Sequence, residues 1–225
     1  ADWAPEGFIA YSAVCTHLGC TVNFSQEPEE GADFPHIFCP CHAGVFDAES
    51  GGTVAGDVHM NQFPAVLLKI FGKDWFVDGN LSLQFHNATV DRERVQVFAE
   101  PLPANSQQTK VWMEREDGLL VCSGTAARGD HSRSLLRTKD LRPCEPSELR
   151  ILNRLHAGLS LGEYDVVTSP EKQFQRYDRG LISDPLTWFR NDSPWPDPVA
   201  APCTVLEYLW AYPMQPLATL IGDAV

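Results

Sequence analysis

No stretch of this 225-residue chain approaches the roughly 20 consecutive apolar residues of a membrane span. The richest run, Val205 to Ile221, is broken by Glu207, Pro213 and Pro216. No leader of the secretory type is visible either. Positive charge is scarce: 17 Lys and Arg stand against 30 Asp and Glu, a formal net charge of −13. That balance argues against nucleic acid and anionic membrane surfaces as main partners and suits a basic one. No nucleophile, general base or substrate pocket of its own stands out. At 44% hydrophobic and 21% charged, the composition is that of a soluble globular protein. The length allows one large or two modest domains.

What the chain does have is two short strings rich in metal donors. They are Cys15-Thr16-His17-Leu18-Gly19-Cys20 and Cys39-Pro40-Cys41-His42. Each offers a Cys and a His, plus one spare Cys. A centre that needs two of each is the Rieske [2Fe-2S] cluster, in which two Cys hold one iron and two His the other. Thiolates are soft anionic donors and suit a sulfide-bridged iron pair. Two neutral imidazoles in place of two thiolates make the cluster less negative, so its reduction potential rises. Ring N–H groups of His17 and His42 facing solvent would release a proton on oxidation and regain it on reduction. Structural zinc is the plain alternative, with the same residues read as a Cys₂His₂ site. Zinc would leave the two extra cysteines without a role.

The strings resemble those of Rieske iron–sulfur proteins from cytochrome bc-type quinol-oxidising complexes and, more distantly, the Rieske subunit of arsenite oxidase. The resemblance implies that Cys15 and Cys39 bind one iron and His17 and His42 the other. It also implies a disulfide between Cys20 and Cys41 joining the two loops. Such a crosslink closes a loop of about twenty residues and contributes roughly 3 kcal/mol on the chain-entropy model. Disulfides persist in oxidising compartments, so an extracytoplasmic location, periplasmic or equivalent, is expected. His42 and His17 are the candidate quinol-facing ligands. The expected partners are a quinol and the cytochrome b and c subunits of a membrane complex. Family members normally carry an N-terminal membrane anchor; a truncated or processed subunit, or another attachment, is the expectation here.

The second loop departs from the common family form. Gly44 stands where a Ser is usual and Phe46 where a Tyr is usual, so two hydroxyls are missing. Hydrogen bonds to cluster sulfur stabilise the reduced form. A lower potential, matched to a low-potential quinone such as menaquinone, is therefore expected. The third loop lacks the family's Gly-Pro-x-Pro pattern and reads Gly56-Asp57-Val58-His59-Met60-Asn61-Gln62-Phe63-Pro64. It resembles the arsenite-oxidase-like form, which keeps a molybdenum-enzyme small subunit as the rival redox reading. A zinc-stabilised binding module is the rival outside redox chemistry. His59 reads as a surface residue rather than a ligand.

The fold expected is mainly β. Residues 1–85 would be a Rieske-type antiparallel β domain with cluster-binding loops. Residues 86–203 would be an α+β extension ending in a Pro-rich linker at Pro194, Pro196, Pro198 and Pro202. Within the first part, Phe8 to Ser12 and His36 to Phe38 read as strands leading into the ligand loops. Val66 to Ile70 and Trp75 to Val77 read as a hairpin around Gly72-Lys73-Asp74. Only about fourteen residues precede Cys15, too few for the family's base strands. Val205 to Pro213 resembles one of them, so residues 204–225 are read as completing the β domain, either as a circular permutation or through an unusual ordering of the numbered chain. Asp117-Gly118 predicts a hairpin turn between Val111–Glu114 and Leu119–Cys122. Ser147 predicts a helix start, with Leu149, Leu152 and Leu155 on one face and Gly158 at its end.

Cys122, Cys144 and Cys203 are left over, too few for a second cluster; buried free thiols are the reading for at least one. Arg128, Arg133, Arg137, Lys139 and Arg142 read as a solvated basic face. Asn87-Ala88-Thr89 matches a glycosylation sequon and carries little weight alone.

Overall fold

The computed structural model describes residues 21–28, 32–39, 44–48, 52–90, 93–140, 156, 158–160, 163, 165, 167, 169–178 and 187–210. The architecture is mainly β: two antiparallel sheets with short helices between and after them. The chain divides into two compact units, residues 1–59 with 66–137 and residues 60–65 with 138–225.

The first unit holds both sheets. The smaller has order β1-β2-β3, from Asn23–Ser25, His36–Cys39 and Gly44–Asp47. β2 appears where the sequence predicts it, and Cys39 pairs with Gly44 at the end of the β2–β3 hairpin. The larger sheet has order β4-β7-β6-β5, from Gly79–Phe85, Leu120–Arg128, Gln108–Arg115 and Val95–Ala99. The β6–β7 hairpin turns at Asp117-Gly118 as its sequence predicts. Gly118 has φ +88°, and the Asp117 carboxylate accepts the Leu119 N–H at 3.1 Å. Val111, Met113, Val121, Cys122, Ala126 and Ala127 are buried on this sheet. The alternation on β6 is clean: Thr109, Val111 and Met113 point inward and Lys110, Trp112 and Glu114 outward.

The hairpin expected over 66–77 is instead helical. After α1 (Gly56–Met60), Pro64–Phe71 forms α2 and Trp75–Asp78 forms α3. Pro64 at the first helical position is pre-set for a helix start and lacks only an N–H that has no partner there. Gly72 takes φ +72°, and its N–H bonds the Leu68 carbonyl at 2.9 Å, a left-handed helix stop. Between these signals the run Val66-Leu67-Leu68 fits either structure; complete burial of Leu67 goes with the helix. Trp75 is buried at the start of α3, which feeds directly into β4.

α4 (Leu135–Thr138) follows β7, its leading N–H groups taken by Thr125 and Ser82 hydroxyls. The second unit contains α5 (Pro170–Asp178), a 3₁₀ turn at Thr187–Phe189 and α6 (Pro202–Trp210). The buried Gln173 amide joins them. Its nitrogen donates to the Phe189 and Val199 carbonyls; its oxygen accepts Ala201 N–H at 2.9 Å and the Thr204 hydroxyl at 2.8 Å. The strand expected from Val205 is a helix as far as Trp210. Pro202 opens it, and Val205 N–H bonds the Ala201 carbonyl at 3.0 Å to begin the ladder. Residues 211–225, the Phe8–Ser12 strand and the helix expected from Ser147 lie outside the described residues. No helix among the described residues is long and apolar enough to cross a membrane.

Candidate metal centre

Strand β2 carries one candidate ligand to its end. Cys39 is 2% exposed and is a free thiol. It pairs with Gly44, the first residue of β3. A buried thiol not spent on a disulfide suits a soft metal centre. Cys15, His17, Cys20, Cys41 and His42 lie outside the described residues, and so does the disulfide read between Cys20 and Cys41.

Phe46 lies on β3 opposite Ile37, with no hydroxyl to offer. His36, three residues before Cys39, is buried, and its Nδ1 lies 2.9 Å from the Phe34 carbonyl. A histidine ahead of a ligand string carries no signal of burial in the sequence.

His59 is not a surface residue. It sits on α1, is 5% exposed, and its Nε2 lies 2.7 Å from Thr89 Oγ1. Burial pushes its pKa down to about 4, against a weaker upward pull from Asp57. Its ring also faces that of Phe85, with centroids 6.4 Å apart. The partner Thr89 lies 30 residues along the chain, so no local pattern could announce this contact.

Asp33, just before β2, is joined to Arg115 on β6 through both carboxylate oxygens, at 3.0 and 2.6 Å. Arg115 also donates to Glu93 at 3.0 Å and to Asp117. The Arg115 guanidinium holds Asp117 down to about 2, with help from the Leu119 N–H, and lowers Asp33. Arg128, read as part of a solvated face, is paired with Asp78 and Asp74. The sequon at Asn87 is folded in: its amide donates to the Leu120 carbonyl at 2.8 Å and Thr89 is 1% exposed. Cys122 is a buried free thiol, which burial pushes up to about 12, and Cys203 is buried as well. Cys144 lies outside the described residues.

Residues 4–69 match the model of the family described as the Rieske [2Fe-2S] domain. The cytochrome bc1 complex Rieske iron-sulfur subunit of Streptomyces lividans is 38% identical over 53 residues, 24% of this chain and 28% of that protein. The menaquinol:cytochrome c reductase iron-sulfur subunit of Bacillus subtilis is 44% identical over 51 residues, 23% of this chain and 28% of that protein. The putative respiratory nitrate reductase subunit Rieske of Haloferax mediterranei is 34% identical over 76 residues, 34% of this chain and 31% of that protein. The match thus spans less than a third of the length of each of these relatives. No solved structure matches the chain significantly.

Proposed function

From a chain that carries a Rieske [2Fe-2S] domain over residues 4–69 and transfers electrons through it, we propose the iron–sulfur subunit of a quinol:cytochrome c oxidoreductase-like respiratory or photosynthetic complex. Cys15 and Cys39 would hold one iron and His17 and His42 the other. When bound, the cluster supplies a one-electron acceptor whose potential the two imidazoles raise. Cys39 fits this role on its own evidence of burial and free thiol state at the hairpin loop. His42 and His17 would face the quinol and take the proton that accompanies the electron. Cys20 and Cys41 would join the ligand loops in an oxidising, extracytoplasmic compartment. The single observation that carries the reading is the pair of ligand strings, the second beginning at Cys39, the last residue of β2.

The likeness to a menaquinol:cytochrome c reductase subunit supports menaquinol as donor. So does the absence of hydroxyls at Gly44 and Phe46, which favours a low potential. The likeness to a nitrate reductase subunit leaves room for a second reading, carried by the form of the third loop, in which the domain serves a molybdenum enzyme of the arsenite-oxidase type and meets no quinol. Purification of the native complex separates the two. Co-purifying b-type haem, with menaquinol reducing the cluster in the isolated complex, is the expected result. A molybdopterin subunit without b-type haem would overturn the quinol reading in favour of the second.

A further inference from the structure

Two sets of contacts tie the β2–β3 hairpin to the four-stranded sheet. One is the Asp33–Arg115 pair already described. The other runs through residues 53–59. Among the described residues β3 is an edge strand, so carbonyls on its outer side have no ladder partner there. Thr53 supplies one: its hydroxyl donates to the Val45 carbonyl at 2.7 Å. Val45 pairs with Phe38, one rung from the Cys39–Gly44 pair that closes the loop. The next residue, Val54, donates its N–H to the Thr89 carbonyl at 2.8 Å. Thr89 then meets His59 with its hydroxyl at 2.7 Å. The Phe85 ring lies so close over Gly56 that a Cβ there would come within 2.8 Å of it.

Thr89 is anchored in turn. Its neighbours are fixed to β7 by His86 N–H on the Val121 carbonyl and the Asn87 amide on the Leu120 carbonyl, both at 2.8 Å. The carbonyl and the hydroxyl of a fully buried threonine are thus both spent on the one segment. Buried polar groups are costly unless bonded, so this arrangement favours a single placement of residues 53–59.

We infer that residues 53–59 are a brace between the cluster hairpin and the four-stranded sheet, with Thr53 and Thr89 as positioning residues for the iron–sulfur centre. The inference rests on the ligand assignment proposed above. None of the brace residues is a ligand candidate. They act through Val45 on the end of β2, where the ligand candidate Cys39 pairs with Gly44. A cluster's potential follows its solvent exposure and the hydrogen bonds around it. Loosening the brace admits water, which stabilises the more negative reduced form.

The test is a redox titration of the full chain with its cluster, in wild type, Thr53→Val and Thr53→Ser. Thr53→Val is expected to raise the reduction equilibrium constant three- to tenfold, with tenfold equal to 59 mV for one electron. Thr53→Ser keeps the hydroxyl and is expected to titrate as wild type. Loss of iron from Thr53→Val with retention in Thr53→Ser supports the same role. A Thr53→Val protein with full iron content and an unchanged potential overturns the brace alone. A wild type without a mixed His/Cys iron signal overturns the ligand assignment and the brace with it.

Discussion

His59 Nε2 and Thr89 Oγ1 share a buried hydrogen bond of 2.7 Å, and the burial of the imidazole disfavours its charged form. Its pKa falls from an ordinary 6.5 to about 4, so the unfolded chain binds more protons than the folded one between those values. Stability is therefore complete above pH 6.5 and declines as pH falls toward 4, by about 3 kcal/mol at most. Asp57 is the one charge that opposes the shift. Denaturant unfolding at a series of pH values should show this slope, and His59→Gln should remove it. An unchanged slope in the variant would place the acid sensitivity elsewhere.

Arg115 predicts a second, separate acid step. Asp33 and Asp117 are held below their ordinary 3.8 by the guanidinium, Asp117 at about 2. Groups depressed in this way stabilise the fold above the unfolded value and lose that contribution as pH falls through the folded one. The window is thus pH 4 to 2, below that of His59. Arg115→Met is expected to lower stability at pH 7 by roughly 1 kcal/mol, since these pairs are partly exposed. It should also flatten the acid step. Unfolding curves that match wild type in both respects would show the pairs to be idle.

Cys122 has zero exposure and a thiol pushed up to about 12, so almost none of it is thiolate at neutral pH. Cys203 is equally buried. Alkylation of native protein, read by peptide mass spectrometry, should leave both unmodified, and both should label fully in denaturant. Labelling of either in the native state would contradict their burial.

The side chain at position 46 predicts the direction of tuning. Phe46→Tyr with Gly44→Ser restores two hydroxyl donors to the proposed centre. One gained hydrogen bond of about 1 kcal/mol to sulfur corresponds to about 40 mV upward for a one-electron couple. Redox titration of the double variant checks it; a fall in potential would contradict the stated basis for the low-potential reading.

Local signals were legible and remote ones were not. Strand β2 and the Asp117-Gly118 turn announce themselves within a few residues, and the structure places both as read; of the second ligand string it describes Cys39. The apolar run 66–70 was read as a strand because so short a run suits either state; Pro64, Gly72 and the buried Leu67 mark the helix. The same ambiguity misled the reading of 205–210, where Pro202 opens α6. His59 looked like a surface histidine because Thr89 is 30 residues away, and nothing near Asp33 in sequence points to Arg115, 82 residues on. Contacts of that range depend on how the two sheets meet, which periodicity does not encode.

The measurement that bears most directly on the account is low-temperature EPR of the dithionite-reduced chain, with iron and zinc analysis on the same sample. The account predicts two irons per chain and a rhombic signal with the low average g of mixed His/Cys ligation. Zinc with no signal would contradict it, and would make the two Cys/His strings a structural metal site in a binding module.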